Sequence, residues 1–324
     1  MEGLKDVRLI TVSVVIPAYG VKDHLGDLLQ RLDSQVKHII VVDDFCPQNS
    51  GLIALQAAKT DSRISVIFHE KNMGVGGAVK TGYLEALRLD SDIIVKLDGD
   101  GQMNPEDIRE LIRPLIHLNS NYSKGNRFYD SDIFLKMPKI RLIGNLFLSF
   151  LSKLSTGYWL IFDPNNGFTA IESRTLRKLP LEKIDNRYFF ESDMLFRLNL
   201  LNSSVVDVPL PAKYGTEKSG LSVTRSIFEF LYKHNRNFAK RIVYSYFIRE
   251  FSLASLQLIF GSVLLIFGFT LGCLNFVTSK VNETATPTGT LILIAMSVLS
   301  GLQLVLAFFS YDMQKSLSRF SGNR

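Results

Sequence analysis

Apolar residues fall along the first half of the chain in short runs. They occupy Ser13–Ile16, His38–Val42, Ile64–Phe68 and Asp92–Leu97, lengths that suit buried strands. The longer segments between them, about Asp23–Gln35, Ser50–Lys59 and Val75–Leu89, repeat their apolar positions at helical spacing. Strand and helix alternating in this way predict right-handed βαβ units and an α/β domain with a mainly parallel sheet. Ligands on such sheets bind beyond the carboxyl ends of the strands. Asp43-Asp44 closes the second run and Asp98-Gly99-Asp100 closes the fourth, so both acidic pairs are expected to face one crevice.

The pattern changes in the last third. No charged residue occurs from Ser252 to Ser279, nor from Thr284 to Tyr311. Each span exceeds the ~20 apolar residues that cross a bilayer, and soluble helices of that length rarely lack charge on every face. Just before them, Ser222–Glu250 interleaves Arg225, Lys233, Arg236, Lys240, Arg241 and Arg249 with Ile227, Phe230, Leu231, Phe238, Ile242 and Phe247. That is the pattern of an amphipathic helix on a membrane surface, with a helix packed on the soluble domain as its alternative. The reading is a soluble domain over 1–221, amphipathic juxtamembrane helices over 222–250, two transmembrane helices within 251–311 and a tail over 312–324.

Charge adds orientation. Basic residues flank the outer ends of both spans, whereas the connecting loop sets Lys280 against Glu283. The positive-inside rule then puts the large domain and both ends in the cytoplasm, on the inner membrane of a bacterium. The net charge of +6 suits an anionic partner such as membrane lipid or a phosphorylated ligand. Only two cysteines occur, Cys46 and Cys273, without metal-ligand spacing, so neither a disulfide framework nor a zinc site is expected. The first apolar run leads into Pro17-Ala18-Tyr19 rather than a cleavage site, so it reads as a strand and not as a signal peptide. Asn282-Glu283-Thr284 matches a glycosylation sequon but lies at the membrane and carries no weight.

Two carboxylates one residue apart repel unless something positive stands between them, so Asp98-Gly99-Asp100 calls for a cation. A second candidate is Asn72-Met73-Gly74-Val75-Gly76-Gly77-Ala78-Val79-Lys80-Thr81, close to the phosphate loop of nucleotide hydrolases. Its second glycine position holds Val79, and that glycine lets backbone wrap phosphates. The remaining glycines read as a tight turn whose amides can face a ligand.

Taken in order, these motifs resemble the polyprenyl-phosphate glycosyltransferases of the dolichol-phosphate-mannose-synthase type, and more narrowly the bactoprenol glucosyltransferases with two C-terminal membrane helices. The matching residues are Val15-Ile16-Pro17-Ala18-Tyr19, Val42-Asp43-Asp44, Asn72-x-Gly74-Val75-Gly76-Gly77-Ala78 and Asp98-Gly99-Asp100-Gly101-Gln102. They continue through Lys124-Gly125-Asn126-Arg127-Phe128, Gly157-Tyr158-Trp159, Asp163-Pro164-Asn165-Asn166-Gly167-Phe168 and Arg187-Tyr188-Phe189-Phe190-Glu191-Ser192-Asp193. One departure is Gly20-Val21-Lys22 where the family often has Asn and an acidic residue, which bears on base and ribose recognition.

The resemblance implies a GT-A fold and a membrane-anchored, inverting transferase. It would move one sugar, glucose as the first expectation, from a UDP-sugar to polyprenyl (undecaprenyl) phosphate; GDP-mannose is the alternative donor. By resemblance, Asp98, Asp100 and Gln102 hold Mg²⁺ or Mn²⁺ with the diphosphate, since hard cations take carboxylate and phosphate oxygens together. Asp163 is similar to the family's catalytic aspartate near the acceptor, and Arg127 is expected to assist. Nucleotide-sugar contacts are expected from Pro17, Ala18, Tyr19, Asp43, Asp44, Gly74, Gly76, Lys80, Asp98, Gly99, Arg127, Glu191, Asp193, Lys213, Tyr214 and Lys218. A lipid phosphate has a second pKa of ~6, so it arrives mostly dianionic and positioning should dominate. Leu146, Phe147, Phe150, Leu151 and Trp159, within Lys139–Ile161, are expected mainly to pack a core, with guidance of the polyprenyl chain as the alternative. Membrane lipids are expected partners, nucleic acid is not, and the family suggests a homo-oligomer, a tetramer. A processive polysaccharide synthase is disfavoured because its Q-x-x-R-W motif is missing from the sequence; a non-catalytic nucleotide-sugar sensor is disfavoured by the intact aspartates.

Overall fold

The structure is a computed structural model that describes residues 10–127, 139–210 and 223–321. Its elements run β1 (Val12–Ala18), α1 (Lys22–Gln30), β2 (Val36–Asp43), α2 (Ser50–Ala57), β3 (Ile64–Phe68), α3 (Val75–Arg88), β4 (Ile93–Lys96) and α4 (Ile108–His117). After these come β5 (Tyr122–Asn126), α5 (Lys139–Thr156), β6 (Thr169–Glu172), α6 (Phe190–Leu200), β7 (Val205–Pro209), α7 (Val223–Val243), α8 (Leu253–Asn282) and α9 (Thr288–Ser321). The four strands and three helices expected from the pattern all form. The first helix ends at Gln30 rather than near Gln35, because Asp33 turns the chain there, its Oδ1 accepting from the Gln35 amide at 3.1 Å in place of a helical bond.

The strands make one seven-stranded sheet in the order β3-β2-β1-β4-β6-β5-β7. All pairings are parallel except those of β6 with β4 and with β5. Every residue of β1 is buried, as a sheet covered on both faces requires. Val14 and Ile16 point into one core with Leu25 and Leu28 of α1 and Leu111 of α4. Val15, one position out of phase, points into the other with Val79 and Tyr83 of α3 and Met194 of α6. This α/β sandwich leaves the parallel strands' carboxyl ends, with Asp44 and Asp100, at one rim.

The chain divides into two compact units, one reaching Phe238 and the other spanning Ala239–Ser318, so the division falls within α7. In the first unit, α7 packs through Lys233 on Asp185 at 2.6 Å, Asn237 on Asp193 at 3.0 Å and His234 on Ser155 at 2.7 Å. This is the alternative to a purely membrane-surface helix, although Phe228 and Tyr232 on the same helix stay exposed.

In the second unit α8 and α9 form an antiparallel hairpin, each long and apolar enough to cross a membrane. Ser252 and Ser255 close a capping box at the start of α8. Gly261 and Gly301 let the backbones touch: a Cβ on Gly261 would stand 3.1 Å from the Gly301 carbonyl oxygen. Helix α9 continues through Asp312 to Ser321.

Candidate functional site

At the strand rim lies a cavity of about 480 Å³ lined by Pro17, Ala18, Tyr19, Val21, Asp44, Asn72, Gly74, Val75, Ala78, Gly99, Asp100, Arg187 and Tyr188. It brings together Pro17, Ala18, Tyr19, Asp44, Gly74, Gly99 and Asp100, as the sequence suggested. Asp44 is the organiser of its floor. Its Oδ1 accepts from the Met73 amide and its Oδ2 from the Gly74 amide, both at 2.7 Å, and His69 Nδ1 lies 2.8 Å from Oδ1.

Several expected contacts lie elsewhere. Asp43 faces away from the cavity, with its two oxygens accepting from the Cys46 and Gly51 amides at 2.8 and 2.6 Å; it builds the turn into α2. Gly76, together with the cavity-lining Gly74, serves a close approach. A Cβ on Gly76 would run into the Asp185 carbonyl, and one on Gly74, at φ +84°, into that of Asn186. The glycine turn therefore receives the 185–187 segment, whose Asn186 carbonyl accepts from the Gly77 amide at 3.0 Å. A phosphate has no room where that segment sits, which rules out the phosphate-loop alternative. Lys80 donates to Ile184 O at 2.8 Å and to Asn186 Oδ1, and burial lowers its pKa. Asp193 accepts from the Asp185 amide at 3.0 Å and from Asn237. These residues hold the segment that presents Arg187 and Tyr188 to the cavity.

Asp98 has a partner that the sequence reading overlooked. Lys96, its side chain only 1% exposed, donates to Asp98 Oδ1 at 2.8 Å, to Glu191 Oε1 at 3.0 Å and to the Gly167 carbonyl at 3.2 Å. Those two carboxylates push its pKa up against the opposing effect of burial. Glu191 thus meets Asp98 through their shared Lys96. Asp100 Oδ1 accepts from the Gln102 amide at 3.0 Å, so Gln102 shapes the loop through its backbone.

Asp163 is 1% exposed and bidentate with Arg127, whose Nε and Nη2 donate at 2.8 and 3.2 Å. Its loop rests on a second buried lysine, Lys124, which donates to the Asn166 carbonyl. Lys213, Tyr214 and Lys218 lie outside the described residues, as does Phe128. On α5, Leu146, Phe147 and Phe150 are each more than half exposed. The expectation that they fill a core is therefore wrong: the helix turns its small polar residues Ser152, Ser155 and Thr156 inward.

Residues 13–180, more than half of the chain, match the family description "Glycosyl transferase family 2". The chain belongs to glycosyl transferase family 2. Among relatives of this family-2 chain is a UDP-N-acetylglucosamine–dolichyl-phosphate N-acetylglucosaminyltransferase of Methanococcus voltae, 30% identical over 63% of this chain and 86% of the relative. A polyprenol monophosphomannose synthase of Mycolicibacterium smegmatis is 27% identical over 67% of this chain and 84% of its own. The resemblance to polyprenyl-phosphate glycosyltransferases is thereby borne out. A glucosyl-3-phosphoglycerate synthase from Mycobacterium tuberculosis, solved with Mn²⁺, UDP-glucose and phosphoglyceric acid, superposes with a TM-score of 0.53 at 16% identity, over 72% of this chain and 79% of that one. It confirms the GT-A fold.

For a family-2 enzyme, the residues missed from sequence are Lys96, Lys124, Arg187 and Tyr188. The two lysines carried a signal: Lys96 ends a strand that is otherwise apolar, and Lys124 sits midway along β5 among uncharged residues, positions where an unpaired charge is not tolerated. Arg187 and Tyr188 carried none beyond their place in a motif.

Proposed function

We propose that this family-2 enzyme transfers a single sugar from a nucleoside diphosphate, UDP first, to a polyprenyl phosphate at the cytoplasmic face of a membrane. The observation that carries the reading is one chain combining the Asp44–Asp100–Arg187 cavity at the strand rim with two helices long enough to span a bilayer.

The donor set fits a hard divalent cation. Among the described residues no three His, Cys, Asp or Glu side chains gather as a metal cluster, so the protein offers the Asp98-x-Asp100 carboxylates and leaves the other positions to diphosphate oxygens. Bound there, Mg²⁺ or Mn²⁺ would stabilise the charge that develops on the leaving diphosphate. Arg187 lies at the same cavity and adds a fixed positive charge for that diphosphate. Pro17, Tyr19 and Val21 supply apolar and aromatic surface for the base. Lys96 holds Asp98 in place from below.

At the acceptor end the lipid phosphate is already a nucleophile, so the chain's task is to aim it. Arg127, two-thirds buried and clamped by Asp163, presents a guanidinium for that phosphate. A single displacement from the face opposite the diphosphate inverts the anomeric carbon. The exposed Phe147 and Phe150 on α5 give the polyprenyl tail an apolar surface.

The sugar is the open choice: glucose is the sequence expectation, whereas the relatives' names carry N-acetylglucosamine and mannose. Purified protein is incubated with undecaprenyl phosphate and labelled UDP-glucose, UDP-N-acetylglucosamine or GDP-mannose, with and without chelator. The reading predicts one labelled monophosphate lipid that disappears in chelator. No lipid product from any donor, or undiminished product in excess chelator, contradicts the acceptor or the metal assignment respectively.

A further inference from the structure

Four residues stand at one level across the sheet. Lys96 on β4 pairs with Thr169 on β6, Thr169 with Lys124 on β5, and Lys124 with Asp207 on β7. Residues paired in this way point to the same face of a sheet, so two lysines lie beneath the site, roughly 10 Å apart by strand spacing. Both are buried, at 1% and 0% exposure.

Both also meet the same loop. Lys96 Nζ donates to the Gly167 carbonyl at 3.2 Å and Lys124 Nζ to the carbonyl of the preceding Asn166. Asn166 further locks the loop, its Nδ2 donating to Gly125 O at 2.7 Å and its Oδ1 accepting from the Phe168 amide at 2.9 Å. Gly167 is seated so tightly that a Cβ would collide with both Lys96 Nζ and Asp98 Oδ2. The loop that begins at Asp163 is thus fastened directly onto the Lys96–Asp98 pair.

We propose that Lys124 is a positioning residue for the transfer reaction: with Lys96 it forms a cationic floor that registers the Asp163–Gly167 loop, and so the Asp163–Arg127 clamp, against Asp98. The inference rests on the proposed function for the roles of those two aspartates. Its geometry stands without it. Two ammonium groups under consecutive carbonyls are a costly arrangement in an apolar core, and packing alone would be served as well by Leu or Met.

The charge on Lys124 is conditional. Burial pushes its pKa down to about 8, against the attraction of Glu191 on α6, Asp163 in the loop and Asp207 on β7, while Lys96 on β4 adds to the depression. The ammonium is present below about pH 8 and lost above it. The contribution to folding runs the other way. The unfolded chain keeps this proton up to the ordinary lysine range, so between that pKa and the ordinary one this group makes the fold more stable as pH rises. A fall in rate that follows this group over that window is therefore not unfolding caused by its deprotonation.

The test compares wild type with Lys124→Met in three readouts. In wild type, kcat at saturating donor should fall above about pH 8 while UDP affinity holds. In Lys124→Met, kcat should drop at least tenfold with UDP affinity changed less than twofold, and the alkaline limb should vanish. Amide exchange at Asn166 and Phe168 should quicken at least tenfold in the variant with β1 and β2 unchanged, a readout that needs no activity. If the variant does not fold, the wild-type pH profile decides alone. A flat wild-type profile to pH 9.5, a folded variant with wild-type kcat, or unchanged exchange in the loop overturns the proposal. Wild type that makes no lipid product in any arm instead defeats the acceptor assignment and leaves exchange to judge the floor.

Discussion

Two buried ion clusters, one in each compact unit, are built from similar parts to different ends. In the unit that holds the two long apolar helices, Arg241 and Asp312 are 2% and 4% exposed and bonded through both guanidinium arms at 2.6 and 3.0 Å. Tyr246 adds its hydroxyl to Asp312 at 2.6 Å. Asp312 is the first charge after the charge-free stretch of α9, where an unpaired carboxylate would face an apolar medium. The cluster is closed on every side that the partners show. In the other unit, Lys96 is equally buried, but one of its two carboxylates, Asp98, keeps 28% exposure next in sequence to the cavity-lining Gly99 and Asp100. Sealing satisfies charge and yields a joint. Leaving one carboxylate open stores a charge that an incoming cation or phosphate can meet.

That contrast can be broken from either end. The larger effect is expected at the open cluster. Lys96→Met leaves Asp98 and Glu191 repelling each other without their shared partner, and transfer should fall on the order of 10²-fold or more, the scale of losing a preorganised electrostatic group. Steady-state kcat measures it, and a rate within threefold of wild type would reduce Lys96 to a core filler. At the sealed joint the loss is one of stability. Arg241→Met strands Asp312 and should cost about 3–5 kcal/mol, read as a lower unfolding temperature in detergent with UDP binding to the folded fraction unaltered. Adding Asp312→Leu to it should recover most of the loss, because an apolar pair of similar volume often replaces a buried ion pair without penalty. An unchanged unfolding temperature in the single variant would show that the pair holds nothing together.

The same contrast explains what was legible in the sequence. The strands and the first three helices were written in apolar periodicity, which survives because each face must be buried, and the two long apolar helices in the length of their charge-free stretches. The rim residues Pro17, Tyr19, Asp44 and Asp100 were legible because each sits where a strand or its following turn leaves the core. Legibility failed where a side chain's role depends on what lies across the sheet. Asp43 and Asp44 are neighbours with the same side chain, yet alternation along β2 sends one to cap α2 and the other to the cavity. Lys80 and Asp193 looked like ligand-binding charges, and the bonds they make hold the 185–187 segment, a contact made across more than a hundred residues in the case of Lys80. The exposed aromatics of α5 misled because the helix buries its serines, which only the position of α7 and its His234 makes sensible.

The central claim is that the two aspartates serve opposite ends of one displacement, Asp98 at the donor and Asp163 at the acceptor. Asp163→Asn tests it most directly, since Asn keeps the shape of the turn before Pro164 while removing the charge that clamps Arg127. Turnover and UDP affinity are measured on the same preparation. The account predicts that kcat falls by roughly 10²–10³ while UDP affinity stays within about twofold, the signature of an interaction made mainly in the transition state. Wild-type turnover would make Asp163 a turn residue, and a loss of UDP affinity matching the loss of rate would place it at the donor end, contradicting the account.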